Sequence, residues 1–288
     1  MTIFELVKIA LDELYAEAVK DYGNETDAQI SSQIVCLQNT LRNLNKGEPN
    51  PTTYKDPTVR FAYVFKYVTS HADYVVQILQ NLQQKLNGSI FEKESIRVSC
   101  VGGGPGSDLI GLLKYLDEKD ELEPVGKITC YLLDREQAWA DTWTELGDTL
   151  NSKLNLHVNF QPLDVTMPES WAQQKKFLQA DLFTMSYFLS EVYALDSKGG
   201  VTGFFRDMFE QAKPGALFLY DDNGHQEFNH YFDSLFDPSL YESVVSETNI
   251  KLTPRYSEEK KTLGDYLEKF GQSPKLGSQV SYRVIRKL

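Results

Sequence analysis

The sequence feature that most restricts the fold is a glycine-rich turn between an apolar segment and an amphipathic helix. The stretch Val98–Asp108 has the sequence VSCVGGGPGSD, and the helix after it carries Leu109, Leu112, Leu113 and Leu116 on one face. Glycine is needed where the backbone turns tightly or where a ligand approaches it without a Cβ in between. Unpaired N–H groups at the helix N-terminus suit a polar ligand. The stretch predicts a strand–turn–helix unit, which is either a simple connection or a ligand-binding turn.

From Ile96 onward, short apolar runs alternate with amphipathic helices. The candidate strands lie at 96–101, 128–133, 156–162, 180–187, 216–220, 243–252 and 279–286. This alternation is typical of βαβ units, so it predicts an α/β fold with a doubly wound, mostly parallel sheet of seven strands. A helix is predicted at 257–270, because Ser257 can cap its N-terminus, Glu258 and Glu259 favour its positive end, and Gly271 can end it.

The N-terminal third has a helical pattern instead. Apolar residues such as Ile3, Val7, Leu11 and Leu14 recur three and four positions apart, which predicts a first amphipathic helix. Further helices are predicted at 27–44 and at 59–86, the latter broken near Ser70, with a Pro- and Gly-containing loop at 46–57. We therefore divide the chain into an N-terminal helical cap at 1–92 and an α/β domain at 93–288, with a helical insertion at about 255–272.

A carboxylate follows the second strand at a position suited to nucleoside binding. Asp134 ends this strand roughly 28 residues after Gly106, where an acid that holds a ribose hydroxyl pair is expected. An Asp at a strand end is otherwise commonly a turn residue. A dinucleotide turn, G-x-G-x-x-G, would require glycine where Ser107 or Leu109 stands, so a nicotinamide dehydrogenase is disfavoured. The spacing present is G-x-G-x-G.

This spacing resembles motif I of the class I methyltransferases that use S-adenosylmethionine, whose sheet is Rossmann-like with an antiparallel last strand. The resemblance extends to Asp164, to the segment 181–191 nearest the methyl group, to the Pro-Gly turn at 213–216, and to a last strand at 281–286. It implies that Asp134 holds the ribose and that Asp164 lies near the adenine amino group. The cofactor-binding residues that it implies are Gly102, Gly103, Gly104, Gly106, Asp108, Asp134, Arg135, Asp164, Val165 and Ser186.

The chain departs from this family pattern at motif I, as well as in its helical insertion and its large N-terminal helical part. The family usually has Asp or Glu two residues before the first glycine of motif I, and Cys100 stands there. Asp108 or Glu191 could replace the missing acid, and the sequence does not choose between them. The GGGPG turn and the Leu-Ser-Glu that ends at Glu191 also resemble eukaryotic methyltransferases, including a fungal group that acts on ribosomal RNA.

Residues that could act on the acceptor follow the fourth and fifth strands, where open α/β sheets bind ligands. The candidate catalytic residues are Ser186, Tyr187, Glu191 and Asp222. The alternative is that Tyr187 only packs and that the segment 221–225 is a solvated turn. An aromatic segment, Phe61–Tyr67, either packs within the helical cap or closes Tyr63 or Tyr67 over the cofactor or substrate, since aromatic faces attract a sulfonium.

Composition narrows the class of acceptor. Acidic residues outnumber basic ones by 41 to 29, giving a net charge of −12. Nucleic-acid affinity depends on a basic surface, so this balance favours a small-molecule or protein acceptor, although a local basic patch would leave RNA open. The alternatives are therefore an RNA methyltransferase, or a methyltransferase-like binding protein that has lost catalysis through Cys100.

Apolar runs, cysteines and adjacent acids indicate the cellular compartment and whether a metal binds. No uncharged apolar run approaches the roughly 20 residues that span a bilayer. Three cysteines without metal spacing suit a reducing compartment, which favours a cytoplasmic protein. The segment 221–223 offers oxygen ligands for Mg²⁺, but adjacent acids in a loop are more often solvated, so no metal site is predicted.

Overall fold

The computed structural model describes residues 2–46, 52–120, 122–150, 154–196, 199–255 and 257–288. The chain begins with helix α1 (Ile3–Tyr22) and helix α2 (Thr26–Asn43). A capping box starts α1: Thr2 Oγ1 accepts a hydrogen bond from the Glu5 N–H at 3.2 Å, and the Thr2 N–H donates to the Glu5 carboxylate at 2.6 Å. The apolar face predicted for α1 is buried. Both predicted N-terminal helices are confirmed.

The next helical stretch is continuous where the sequence predicted a break. Helix α3 (Pro57–Tyr63) passes through a π-helical segment, Val64–Val68, into helix α4 (Thr69–Leu86). The break predicted near Ser70 is therefore wrong, and its place is taken by an irregular helical turn without interruption. Pro57 belongs to the helix because proline fits the first turn. Residues 47–51 of the predicted loop lie outside the described residues.

Seven strands form one sheet in the order β3-β2-β1-β4-β5-β7-β6. Their bounds are β1 Ser95–Val101, β2 Lys127–Asp134, β3 Asn155–Pro162, β4 Leu182–Ser186, β5 Leu217–Asn223, β6 Tyr241–Leu252 and β7 Ser278–Lys287. Strands β1 to β5 pair in parallel, whereas β7 runs antiparallel to both β5 and β6. The predicted Rossmann-like sheet with an antiparallel last strand is confirmed.

Helices connect these strands. They are α5 Ser107–Glu118, α6 Trp139–Thr149, α7 Pro168–Trp171, α8 Leu189–Val192, α9 Gly200–Gln211, α10 Gln226–Asp233 and α11 Asp265–Phe270. The single helix predicted at 257–270 is wrong, because Gly264 at φ 52° separates the 3₁₀ segment Ser257–Leu263 from α11. Gly271 ends α11 as predicted. The side chains of Ser257 and Glu258, predicted at the N-terminus, lie outside the described part.

The helical cap and one face of the sheet share a continuous apolar core. Val75 and Leu79 of α4 are buried in the same cluster as Leu112 of α5 and Val98 of β1. The two helices approach closely at Gly111, where a Cβ would lie 2.5 Å from the Ala72 carbonyl oxygen. This close packing places the start of α4 above the carboxyl end of β4. The other sheet face is covered by α9, whose Phe residues form a second core.

Among the residues that the structure describes, no helix combines the length and apolar character needed to cross a membrane. Within the same ranges, no three His, Cys, Asp or Glu side chains are grouped as metal ligands would be.

Candidate active site

The glycine turn links β1 to α5 and opens on a cavity at the carboxyl ends of the strands. Gly104 has φ 45°, and the atoms nearest to a Cβ added there belong to Trp139 and to the Asp134 carboxylate, at 3.8 and 3.9 Å. The other turn glycines serve packing: a Cβ on Gly102 would overlap the ring of Phe188, and one on Gly106 would lie 2.5 Å from Trp143. Gly104 is therefore the position where the turn leaves room for a ligand.

Asp134, at the end of β2, faces this turn. Its Oδ2 accepts a hydrogen bond from the Gly104 N–H at 3.0 Å, and its Oδ1 accepts one from the Glu136 N–H at 2.9 Å. Burial raises the pKa of the Asp134 carboxyl to about 6, although both backbone hydrogen bonds oppose the shift. Each carboxylate oxygen retains acceptor capacity for a ligand hydroxyl.

We call the space between the turn and the strand ends the turn cavity. Its lining includes Tyr54, Tyr63, Gly102, Gly104, Asp134, Arg135, Trp139, Asp164, Val165, Ser186, Tyr187 and Glu191. Most of the predicted cofactor residues and three of the four predicted catalytic residues therefore lie together. Asp164 is held by Thr166, whose N–H and hydroxyl donate to its Oδ1 at 2.9 and 2.7 Å. The side chains reach one site because parallel strands end at the same edge of the sheet.

Four predicted residues do not line this cavity. Gly103 packs against the strands, Gly106 caps α5, and Asp108 and Asp222 are fully enclosed. The Asp108 carboxylate accepts a hydrogen bond from the Thr184 hydroxyl at 2.6 Å. Burial raises the pKa of Asp108 to about 7, against the effect of that hydrogen bond. Asp108 therefore lies behind the turn.

The end of β5 is buried, so the solvated turn considered as an alternative for 221–225 is wrong for its two acids. Asp221 Oδ2 accepts a hydrogen bond from the Ser186 hydroxyl at 2.9 Å, and the Asp222 carboxylate accepts one from the Ser190 N–H at 2.9 Å. Burial raises the pKa of both acids, to about 6 for Asp222. Through these hydrogen bonds, the two buried acids hold the segment from Ser186 to Ser190 in place.

Tyr187 has a strained backbone at this edge. Its φ is 53°, a conformation that bulky residues rarely adopt. Its N–H donates to the Asp221 carbonyl oxygen at 2.8 Å, and its ring stacks on that of His71 with centroids 4.0 Å apart and planes 4° apart. Such strain persists only where surrounding contacts hold it, and it is concentrated at functional sites. The contact also joins β4 to the helical cap.

A second cavity of about 360 Å³ adjoins the first under the helical cap, and we call it the cap cavity. Its lining is Gln38, Leu41, Arg42, Leu44, Tyr63, Lys66, Tyr67, His71, Tyr187, Ser190, Glu191, Asn223 and Lys275. Tyr63, Tyr187 and Glu191 line both cavities. Tyr63 and Tyr67 of the aromatic segment therefore line the cap cavity, whereas Phe61 and Phe65 are buried in the core.

Three side chains of the cap cavity, Lys66, His71 and Lys275, are absent from the candidates chosen from the sequence. One signal was available, because Tyr63, Tyr67 and His71 are four residues apart and therefore share a helix face. Lys275 had no such signal, since its place depends on how the segment before β7 packs. The backbone N–H of Lys275 donates a hydrogen bond to the Lys66 carbonyl oxygen at 2.8 Å, and this bond fixes that segment against the helical cap.

The strand order, the antiparallel β7, and the glycine turn facing an acid at the end of β2 define a class I methyltransferase fold. Residues 51–226, more than half of the chain, match the sequence profile of a family described as "Putative SAM-dependent methyltransferase", and the chain belongs to that family. It is therefore a methyltransferase whose cofactor is S-adenosylmethionine. Comparison with curated protein sequences gives no match.

Several solved structures are similar over most of their length. A "putative RNA methyltransferase" from Pyrococcus horikoshii is 14% identical, with 87% of this chain and 98% of that chain covered and a TM-score of 0.43. The 16S rRNA methylase ArmA is 9% identical, with 87% and 97% covered and a TM-score of 0.43. A SAM-dependent methyltransferase from Methanosarcina mazei is 11% identical, with 73% and 97% covered and a TM-score of 0.42.

Proposed function

We propose that the turn cavity holds S-adenosylmethionine and that the cap cavity holds the methyl acceptor, a small molecule or a protein side chain. One observation carries this assignment: the two cavities meet at Tyr63, Tyr187 and Glu191, beside the end of β4. Methyl transfer requires the acceptor atom and the methyl carbon in line and in contact. Two adjoining cavities that share these three lining residues would bring the acceptor and the methyl group together.

The residues of the turn cavity fit the cofactor. Asp134 would accept hydrogen bonds from the ribose hydroxyls, and Gly104 leaves space beside it. Asp164 and Val165, which line the same cavity as Trp139, would lie along the adenine. The position of the missing motif I acid, Cys100, is fully buried.

Glu191 takes over the role of that acid in our proposal. Asp108, the other candidate, is enclosed and bonded to Thr184, whereas Glu191 lines both cavities. A carboxylate at the junction would bind the amino group of the methionine portion. The sequence did not distinguish Asp108 from Glu191, so the choice of Glu191 depends on where the two side chains lie in the structure.

Bound S-adenosylmethionine supplies an electrophilic methyl group on a sulfonium. The work left to the protein is orientation and exclusion of water. The rings of Tyr63 and Tyr187 would form the apolar wall at the junction and attract the sulfonium charge. Ser186 and Asp222 would orient the site without touching the reacting atoms. Ser186 would do so through its hydrogen bond to Asp221. Asp222 would do so by accepting a hydrogen bond from the Ser190 N–H in the first turn of α8.

The acceptor class can be tested with methyl-labelled S-adenosylmethionine and three pools from the same cells: small molecules, total protein and total RNA. We expect the label in the small-molecule or protein pool. Asp134→Ala serves as the control, because it weakens cofactor binding without changing a residue of the cap cavity.

Two other results would each overturn the proposed acceptor. Label found in RNA alone, with salt-sensitive RNA binding, would assign the protein to the RNA methyltransferases. Cofactor binding by calorimetry with no label in any pool would indicate a methyltransferase-like binding protein without turnover.

A further inference from the structure

His71 is a buried imidazole whose environment in the protein is incomplete. It is 3% exposed, lines the cap cavity and stacks on Tyr187. Neither ring nitrogen has a hydrogen-bond partner within the described ranges. Buried polar atoms are almost always hydrogen-bonded, so an imidazole without partners that faces a cavity indicates a ligand that completes it.

Lys275 places a cation in the same cavity. Its ammonium lies 5.0 Å from the ring centroid of Tyr187 and 5.8 Å from that of Tyr67. No carboxylate in the described part of the chain forms an ion pair with it. Aromatic faces compensate only part of the cost of burying an ammonium. The cavity therefore offers its ligand a positive charge that has aromatic neighbours and the attraction of the buried Asp222, but no direct ion pair in the described residues.

The protonation states of the two groups complement each other. Burial and the nearby Lys275 charge lower the pKa of His71 well below its usual value, so the imidazole is neutral at pH 7. Burial lowers the pKa of Lys275 to about 8, against the attraction of Asp222, so the amine is largely protonated. The titratable and charged groups that face His71 or share its cavity are Arg42, Tyr63, Lys66, Tyr67, Tyr74, Tyr187, Glu191 and Lys275. Cations outnumber carboxylates among them, which keeps His71 neutral until an anion forms beside it and offsets their charge.

We propose that His71 accepts a proton from the acceptor and that Lys275 stabilises the resulting anion, so that the acceptor is a flat ring bearing a weakly acidic O–H or N–H. This inference rests on the assignment of the cap cavity to the acceptor. The O–H or N–H proton moves to a ring nitrogen of His71. The acceptor atom then uses its freed electron pair to bond the methyl carbon, and displaces S-adenosylhomocysteine, which keeps the carbon–sulfur electron pair. The imidazolium returns its proton to solvent.

The shape of the cavity supports a flat acceptor. Tyr63, Tyr67 and Tyr187 supply aromatic walls, and a volume of about 360 Å³ suits a compound of one or two rings. Aromatic walls favour a ring that stacks on them. A neutral base beside a fixed cation assists only an acceptor that must lose a proton, because an acceptor that is already unprotonated gains nothing from His71.

The test uses 4-nitrophenol as the probe, because its phenolate absorbs visible light. Calorimetry with S-adenosylmethionine first establishes cofactor binding in each sample. The probe is then titrated spectroscopically against pH in the complex of the protein with S-adenosylhomocysteine. We expect the bound probe to ionise about one pH unit below the free probe, a tenfold gain in phenolate. His71→Gln and Lys275→Met should each return its ionisation to the free value or above.

Matched controls are His157→Gln and Lys251→Met, which change exposed side chains of β3 and β6. Both should keep the shift of the unmodified protein. A probe that fails to bind, or that binds without a shift, while the cofactor still binds overturns this inference alone. Failure of cofactor binding itself overturns the proposed function. A shift that survives in folded Lys275→Met protein would remove Lys275 from the site.

Discussion

The turn cavity and the cap cavity differ in how their walls are assembled. The turn cavity is lined mainly by residues that follow β1 to β4, so a short stretch of sequence after each strand supplies its chemistry. The cap cavity collects side chains from α2, the π-helical segment, α4, α8 and the segment before β7. Motifs therefore indicate the first cavity, whereas the second depends on long-range packing. A fold can keep one cofactor site while its cap determines the acceptor.

The largest expected effect comes from Gly104→Val. A branched side chain there enters the turn cavity beside Asp134, so we expect affinity for S-adenosylmethionine to fall by more than about a hundredfold. Calorimetry and thermal unfolding on the same samples measure affinity and stability.

Gly215→Val is the matched control for that change. Gly215 also has positive φ, at 80°, but a Cβ there meets nothing within 4 Å. The control also places a branched residue at positive φ, but outside both cavities, and should bind the cofactor normally. A folded Gly104→Val protein with unchanged affinity would show that the turn only connects β1 to α5.

Asp134→Ala should have the next largest effect. Hydrogen bonds to a charged group contribute about 1.5–3 kcal/mol each, so the loss of the ribose contacts should lower cofactor affinity at least about tenfold. The exposed Asp141→Ala in α6 is the control. If cofactor affinity in folded Asp134→Ala matched that of the control, Asp134 would not belong to the site.

Gly111→Ala tests the contact that places the helical cap. A Cβ would lie 2.5 Å from the Ala72 carbonyl oxygen, so α4 and α5 must separate, at a cost of about 1–3 kcal/mol in the free energy of unfolding. Gly203→Ala in α9 meets no atom within 4 Å and should stabilise slightly. Chemical denaturation measures both changes. Equal stabilities in the two variants would contradict the close packing of cap on sheet.

The smallest expected effect is a pH dependence confined to the turn cavity. The raised pKa of Asp134, about 6, means that its carboxylate is ionised at pH 7 and mostly protonated at pH 5. Protonation weakens the carboxyl as an acceptor for the ribose hydroxyls, so cofactor affinity should fall by up to about tenfold between pH 7 and pH 5. Because Asp108 and Asp222 also have raised pKa values, Asp134→Asn is the control and should flatten the profile. A fall that Asp134→Asn leaves unchanged would arise from another group.

Much of the sheet and turn could be predicted because their signals are local. Alternating apolar runs gave all seven strands, and the spacing of Gly102, Gly104 and Gly106 distinguished a methyltransferase turn from a dinucleotide turn. The helix boundaries were less accurate. The spacing of apolar residues gave no sign of the π-helical segment or of the separation at Gly264, because both interrupt a helix without interrupting its apolar pattern.

The burial of Asp221 and Asp222 was also beyond local inference. Two adjacent acids and an asparagine have the composition of a surface turn, and burial of acids is favourable only where hydrogen bonds such as those from Ser186 and Ser190 compensate it. The donors come from another strand end and from the start of α8. Their approach is decided when β4 and β5 pair.

The sequence by itself determined the fold class, the cofactor and the position of the glycine turn with its acid, because each depends on residue types at fixed short spacings. The tertiary structure alone decided that His71 and Lys275 share a cavity with Tyr187. These residues are separated by up to 204 positions along the chain, and their contact depends on α4 packing over the sheet at Gly111. Packing of that kind is set by the shape of whole surfaces, so no short pattern in the chain encodes it.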